Sequence, residues 1–296
     1  MSKTTDIFLT ASAPAIWGST YFVTTEFLPD GYPLTVAMLR ALPAGLLLLL
    51  IVRRLPTWDW LGRVTVLGAL NFSVFWVCLF IAAYRLPGGV AATVGAVQPL
   101  IVIVLSRAFL GNNIRLMSIL AAMLGLGGVA LLILTPAASL DLIGVSAGIG
   151  GAASMAAGTV LSRKWQPNVP LLAFTAWQLT AGGLLLLPIA LWVEPPLPPI
   201  TGKHVAGFIY LGLIGAAMTY AVWFRGIARL EPSAASSLGF LSPLIAVALG
   251  WVLLDEHLTP FQFFGATIVL ISVWLSQNAG RIPRPQAALV HGASQT

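Results

Sequence analysis

The chain has 296 residues, of which 58% are hydrophobic and only 8% are charged, and its mean hydropathy is +0.93. A soluble domain carries about 25% charged residues, so this composition excludes an ordinary soluble protein. The net charge is +6, but the basic residues stand singly or in pairs between apolar segments, which favours a membrane surface over nucleic acid as the partner.

Ten segments are long and apolar enough to cross a membrane, since a span needs about 20 apolar residues to cover a hydrocarbon core of about 30 Å. In chain order they are 7–28, 34–52, 61–84, 87–110, 116–134, 143–163, 170–193, 204–227, 232–254 and 260–279. Residues 280–296 are rich in Pro, Ala and Ser and predict a disordered tail. The sequence thus predicts an all-α membrane protein with ten transmembrane helices.

The distribution of lysine and arginine predicts the orientation of these spans. With the amino terminus inside, 12 basic residues fall on cytoplasmic segments and 2, Arg85 and Lys203, fall on external loops, while Arg40 lies inside a span. Basic residues accumulate on the cytoplasmic side of membrane proteins. We therefore expect a multi-pass protein of the cell inner (plasma) membrane, embedded in the lipid bilayer with both termini in the cytoplasm.

The second half of the chain repeats the first. Under a shift of 144 positions, 8 of the 22 residues from Tyr84 to Leu105 are identical to their counterparts, among them Arg85, Gly95 and Pro99. Each copy contains five spans, an odd number, so the second copy enters the membrane from the opposite side. We expect two inverted five-helix repeats, at 7–134 and 143–279, with a substrate site where they meet.

Arg40 is the first candidate site residue because it is predicted to lie well inside the second span. Burying a charge in lipid costs at least about 2.5 kcal/mol, so its guanidinium should face a partner or a water-filled cavity. One interpretation is that it binds a substrate carboxylate. The alternative is a structural contact, with Glu26 or with backbone carbonyl groups. Its position aligns with Trp177, beside Gln178, so we predict a site that differs chemically between the two halves.

Aromatic residues form a second candidate group. They recur every four residues along the third span, from Phe72 to Tyr84, and so lie on one stripe. Such a stripe can pack against other helices or face lipid, or it can bind ring substrates and organic cations by stacking and cation–π contact. The shift of 144 places aromatic residues of the eighth span at equivalent positions. The aromatic residues that we expect at the substrate site are Trp17, Tyr21, Trp76, Phe80, Tyr84, Trp177, Tyr220 and Phe224.

Two prolines near the centre of the fourth and ninth spans occupy equivalent positions. Gln98 precedes Pro99, and Ser242 precedes Pro243. Proline exposes a backbone carbonyl, which a membrane tolerates only beside a cavity or a partner group. The prolines are therefore either hinges of a binding site or packing kinks without ligand contact. Polar residues at the middle of the predicted spans are few, and those that we expect to contact substrate are Ser19, Gln98, Gln178 and Ser242.

Several motifs, taken in order, resemble those of the EamA-type drug/metabolite transporters. They are Trp17-Gly18-Ser19-Thr20-Tyr21, Leu39-Arg40, the Gly-x-x-x-Pro-Leu pattern of Gly95 to Leu100 with its copy Gly239 to Leu244, and Asp255-Glu256-His257-Leu258. The resemblance extends from about residue 7 to residue 279. It implies ten helices in two inverted halves, a central cavity and the export of small metabolites. Within the family, the pattern is most similar to exporters of amino acids, including aromatic ones.

We therefore predict a secondary transporter that exports a small amphipathic metabolite by alternating access at a central cavity, with hydrophobic or aromatic amino acids as the expected cargo. Organic cations or drugs are an alternative cargo, which the aromatic residues allow and Arg40 disfavours. A channel is the alternative from another class. No Asp or Glu falls at the middle of a predicted span, so we expect a facilitator that needs no proton relay.

An enzymatic function is not expected. An enzyme needs acid, base or metal groups within mutual reach, and the three histidines fall near or beyond the predicted span ends. No Cys or His spacing indicates a metal site, so we expect neither a metal nor a cofactor. The expected partners are the small-molecule substrate and the bilayer, without nucleic acid. The sequence leaves the oligomeric state open, and a monomer is compatible with it.

Overall fold

The computed structural model describes residues 2–86, 93–133, 141–253 and 259–279, and these residues form helices without any β-strand. The predicted tail and the Asp255-Glu256-His257-Leu258 motif lie outside this part of the chain. We number the helices as α1 (Lys3–Phe27), α2 (Pro33–Val52), α3 (Trp58–Gly68, Ala69–Ser73 and Val74–Arg85), α4 (Gln98–Leu110), α5 (Leu116–Ile133), α6 (Leu142–Lys164), α7 (Leu171–Val193), α8 (Gly202–Ile209, Tyr210–Met218 and Thr219–Arg229), α9 (Pro232–Ser237, Leu238–Phe240 and Leu241–Leu253) and α10 (Pro260–Asn278).

Nine helices in the described ranges, α2 to α10, are long and apolar enough to cross a membrane. The protein is therefore an all-helical, multi-pass membrane protein. Helix α1 mixes apolar residues with serine and threonine along its length and is not among the nine, so the count of ten spans stays a prediction.

The ends of the helices follow from local chemistry. Proline occupies the first turn of α2, α4, α9 and α10, where its missing N–H group costs no hydrogen bond. Asp141 and Thr259 cap α6 and α10 through their side chains. Helix α1 begins at Lys3, earlier than the predicted residue 7, because the Ser2 hydroxyl accepts a hydrogen bond from the Thr5 N–H group at 3.2 Å.

Helices α3 and α8 each contain a π-helical segment, at Ala69–Ser73 and at Tyr210–Met218. Under the shift of 144 positions, 69–73 falls on 213–217, so the two segments occupy equivalent places in the two halves. A π-helical turn bonds residue i to residue i+5 and displaces the regular ladder, and such turns are frequent at functional sites.

The contacts between helices repeat in the two halves. Helix α2 packs along α7, and α5 packs along α10. Helix α6 packs against α3 and α4, and its counterpart α1 packs against α8 and α9. Each of these contacts is reproduced when the first five helices are exchanged with the second five. At the α2–α7 contact, a Cβ atom on Gly183 would lie 2.6 Å from Leu42, so only glycine allows this approach.

Helix α6 identifies the two ends of the bundle. It has 23 residues and is therefore about 35 Å long. At its start, Asp141 lies 3.6 Å from Arg85 at the end of α3. At its other end, Arg163 donates a hydrogen bond to the Ile227 carbonyl in the last turns of α8, next to the arginines that bind Asp6 in the first turn of α1. We call these the Asp141 end and the Asp6 end. Helices α1 and α6, which are equivalent in the repeat, begin at opposite ends.

Candidate functional site

Arg40 makes its contacts with backbone and aromatic groups. Its Nη2 donates a hydrogen bond of 2.7 Å to the Gly215 carbonyl, and its guanidinium lies 5.4 Å from the centre of the Trp76 ring. Its buried Nε has no hydrogen-bond partner in the described part of the chain. Among the described residues, no carboxylate lies within 4.0 Å of it, and Glu26 is exposed. Of the two structural contacts considered from the sequence, the structure therefore contains the carbonyl contact and not the ion pair.

The Gly215 carbonyl, in the π-helical segment of α8, collects three side-chain donors. Besides Arg40, Trp17 donates through Nε1 at 3.2 Å and Thr219 donates through its hydroxyl at 2.8 Å. Trp17 also donates to the Thr219 oxygen at 2.9 Å. Helices α1, α2 and α8 thus converge on one carbonyl oxygen.

Ser19 joins the same region through the first residue of the π-helical segment. Its hydroxyl lies 2.7 Å from the Tyr210 hydroxyl and donates to the Ile16 carbonyl at 2.7 Å. Because Ser19 has one hydroxyl hydrogen, Tyr210 is the donor between the two, and the Tyr210 oxygen keeps its capacity to accept. Tyr210 lies five residues before Gly215 in this segment, one π-helical turn away.

The aromatic residues form one connected cluster between α1, α3 and α8. Tyr220 lies between Trp17 and Phe72, with ring centres 4.8 Å and 4.6 Å away, and Phe72 contacts Trp76 at 5.4 Å. Tyr220 is only 2% exposed and Trp76 only 4%. This part of the cluster is therefore a packed wall, and the edge that remains accessible is formed by the half-buried Trp17, Arg40 and Phe80. Phe224, also predicted for the site, is 2% exposed and belongs to the wall.

Trp177 and Gln178 are not brought together with Arg40. Helices α2 and α7 run antiparallel, since Leu34 meets Glu194 at one end and Arg54 meets Trp177 at the other. Equivalent positions therefore lie at opposite depths. The Trp177 indole donates to the Arg54 carbonyl at 2.7 Å, which ties the end of α2 to α7.

Gln178 instead belongs to a buried polar network. Its Oε1 accepts hydrogen bonds from Asn71 at 2.8 Å and from Ser162 at 3.2 Å. All three side chains are at most 2% exposed. The network joins α3, α6 and α7, and Asn71 lies in the π-helical segment of α3.

The paired prolines follow paired irregularities of the backbone. Pro99 comes after a turn at 96–97 and lies in the first turn of α4, and Pro243 comes after the 3₁₀ turn Leu238–Phe240 in α9. Gln98 lines a cleft with Phe75, Leu79 and Gly148. The Ser242 carbonyl lies against Gly18 of α1, where a Cβ atom would be 2.6 Å away. A role of either proline as a hinge stays a prediction.

Three residues that the structure brings together with Trp17, Ser19 and Arg40 were not predicted from the sequence, namely Tyr210, Gly215 and Thr219. One signal was present in the sequence, because the shift of 144 makes Gly215 the counterpart of Asn71, a polar residue inside the third predicted span. The side chains of Tyr21 and Tyr84, both predicted for the site, lie outside the described part of the structure.

Comparison with known proteins identifies the class of the chain. A model of the EamA-like transporter family matches residues 4–134 and, a second time, residues 142–277. The chain is 44% identical to Protein PecM of Dickeya dadantii over 92% of each protein. It is 30% identical to the "uncharacterized inner membrane transporter YedA" of Escherichia coli over 88% of this chain and 86% of that protein. A solved crystal structure aligns with a TM-score of 0.81 over 95% of this chain and all of the other, at 18% identity, a likeness of fold alone.

Proposed function

The chain belongs to the EamA-like transporter family, and on this basis we propose that it is a secondary transporter that exports hydrophobic or aromatic amino acids by alternating access. The family and its named relatives are transporters rather than enzymes, and the chain is a membrane transporter of small molecules. The cargo, the direction of transport and the mechanism are the proposed parts.

The proposed architecture has ten spans in two inverted repeats, at 7–134 and 143–279. It is supported by the opposite starting ends of α1 and α6 and by the helix contacts shared by the two halves. In this arrangement α1 crosses the bilayer. The Asp6 end carries Arg53, Arg54, Arg163, Arg225 and Arg229 and is the cytoplasmic end, in an inner membrane.

The main support for the proposed cargo is the uncompensated charge of Arg40. Within the described residues its guanidinium has a carbonyl and a ring as partners but no carboxylate. A buried cation is costly unless it is paired. A substrate carboxylate supplies that pair, and the buried Nε without a partner indicates that the described part of the protein does not satisfy all donors of Arg40.

The surroundings of Arg40 suit the rest of such a substrate. The half-buried Trp17 shares the Gly215 carbonyl with Arg40 and offers aromatic surface there, and the half-buried Phe80 lies one helical turn beyond Trp76. Stacking of aromatic rings contributes about 0.5–1.5 kcal/mol beyond the area that they bury. The Tyr210 oxygen is an acceptor near the cation, suited to a substrate N–H group. An organic cation is the less suitable cargo because it would lie next to Arg40.

The experiment is uptake into proteoliposomes of three matched compounds: an aromatic amino acid, the amine that lacks its carboxylate, and the acid that lacks its amino group. We expect Arg40→Ala to lower transport of the two carboxylates about tenfold or more, because a buried charge–charge contact is worth more than about 1.4 kcal/mol. Transport of the amine should not fall, because this cation no longer lies next to Arg40. Arg63→Ala is the matched control, since Arg63 lies 5.1 Å from the Trp60 ring but is exposed at the Asp6 end. Equal loss for the amine and the carboxylates would mean that Arg40 is structural.

We also propose a facilitator that works down the gradient of its substrate, because no Asp or Glu falls at the middle of a predicted span. Saturable uptake with counterflow is expected and excludes a channel. Accumulation of substrate against its gradient under an imposed pH difference would contradict the facilitator model.

A further inference from the structure

Two ion pairs that the repeat relates to each other join helices of the two halves, one at each end of the bundle. A third pair between the halves, Arg115–Glu231 at 2.9 Å, adds to the Asp6 end. Arg85 ends α3 and pairs with Asp141 at the start of α6. Its counterpart Arg229 ends α8 and pairs with Asp6 in the first turn of α1. Each arginine thus joins the end of one helix to the start of a helix from the other half. The same contact occurs once at the Asp141 end and once at the Asp6 end.

The two contacts differ in strength. Asp141 has one arginine at 3.6 Å, and the side chains of this pair are 46% and 39% exposed. Asp6 has two arginines, Arg225 at 2.6 Å and Arg229 at 3.4 Å, and its own side chain is 11% exposed. Solvent screens an exposed pair strongly and a partly buried pair much less. The contact at the Asp6 end is therefore the stronger one.

We propose that Arg85–Asp141 and Asp6–Arg225–Arg229 are the two gates of the transport cycle, and that the empty carrier opens more readily at the Asp141 end. Alternating access requires helices of one half to separate from helices of the other at one end at a time. These ion pairs join α3 to α6 and α8 to α1, and each must break when its own end opens. This inference rests on the proposed alternating-access function and adds the positioning residues that set which side is open.

Two equivalent glycines provide reporters for the two ends. Gly95, beside α6 in the half near the Asp141 end, and Gly239, in the half of α9 near the Asp6 end, each have open space where a Cβ atom would lie. Gly95→Cys and Gly239→Cys are therefore tolerated sterically. Each is made in a Cys78→Ala background, since Cys78 is the single native cysteine, and labelled from either side of the membrane with an impermeant thiol reagent.

The expected result is a separate response at each end. Asp6→Asn removes the partner of two arginines and raises labelling of Gly239→Cys from the Asp6 side about tenfold, while labelling of Gly95→Cys falls. Arg85→Gln raises labelling of Gly95→Cys from the opposite side by about threefold, as suits an exposed pair. Arg229→Gln changes labelling by less than about twofold because Arg225 still holds Asp6.

Two further variants separate gating from loss of structure. Asp141→Asn keeps an amide oxygen to cap the Gly144 N–H group, so it should reproduce Arg85→Gln. Asp6→Glu keeps the charge and should behave as the wild type. If the neutral variants raise labelling at both reporters equally, or at neither, the gates are refuted.

This test is independent of the cargo because labelling needs no substrate. Gated labelling without transport of aromatic amino acids would leave the gates in place and refute the proposed cargo. Transport of aromatic amino acids, together with labelling that does not respond to the ion-pair variants, would support the cargo and refute the gates.

Discussion

The π-helical segments of α3 and α8 occupy equivalent positions in the two halves but have opposite surroundings. In α3, Asn71 bonds to Gln178 and Ser162, and Ser73 donates to the Gly182 carbonyl at 2.9 Å. These groups are neutral and fully buried. In α8, the Gly215 carbonyl binds a cation and an indole that both remain half-buried.

The difference shows that a π-helical segment can have two different roles in the same fold. A π-helical turn offers polar backbone groups at the middle of a membrane helix, and in lipid each such group needs a partner. In α3 the Leu70 carbonyl accepts a hydrogen bond of 2.8 Å from the Ser154 hydroxyl, and the buried Asn71 Oδ1 has no partner among the described residues. Amides and hydroxyls thus hold this segment as a fixed support. The segment in α8 is paired with Arg40, for whose charge the described residues provide no counterion, which is the basis of the proposed substrate site.

The largest expected effect on stability is at the α3 segment. Gln178→Ala removes the acceptor of Asn71 and Ser162 and leaves both buried without it, which should lower the free energy of unfolding by about 2–3 kcal/mol. Thermal unfolding in detergent measures this change. Because the network lies away from Arg40, KM should stay within about twofold of the wild type once folded protein is counted. A change in KM without a change in stability would place Gln178 at the substrate site. The α3 segment would then not be only a structural support.

Two glycines that accept hydrogen bonds at these segments give a matched pair. A Cβ atom on Gly182 would lie 2.6 Å from the Phe72 Cβ, whereas on Gly215 the nearest atom, Arg40 Nη2, would be 3.6 Å away. Gly182→Ala should therefore destabilise the protein by about 1–3 kcal/mol. Gly215→Ala should cost less than about 1 kcal/mol, because its methyl group would make only an ordinary van der Waals contact with Arg40. Equal loss of stability in the two variants would mean that the α8 segment is packed as tightly as the α3 segment.

The smallest expected effect is that of Trp17→Phe. Phenylalanine keeps an aromatic ring against Tyr220 but cannot donate to Gly215 or Thr219, so Arg40 becomes less well positioned. We expect KM for the amino acid to rise about threefold, in keeping with one hydrogen bond of about 0.5–1.5 kcal/mol. Concentration-dependent uptake measures it, with Trp192→Phe, an exposed indole at the end of α7, as the control. An unchanged KM would remove the indole N–H group from the site.

Several features of the fold could be predicted from the sequence. The shift of 144 paired Arg85 with Arg229 and Pro99 with Pro243, and the structure places both pairs at equivalent points of the two halves. Arg40 was singled out correctly as a cation inside a helix, because charge within an apolar run is visible in the sequence. Its partner was not predictable, since a backbone carbonyl has no residue type.

The sequence by itself determined that this protein lies in a membrane, that its two halves repeat and where its few charged residues fall. Hydropathy, periodicity and charge are properties of residues along the chain. Only the tertiary structure decided which aromatic rings are packed and which remain accessible, that Trp177 and Arg40 lie at opposite depths, and that Gly215 is the meeting point of three helices. These three features depend on the alignment of antiparallel helices and on the two π-helical segments. The helix alignment and the π-helical segments arise from contacts between distant parts of the chain and leave no local pattern in the sequence.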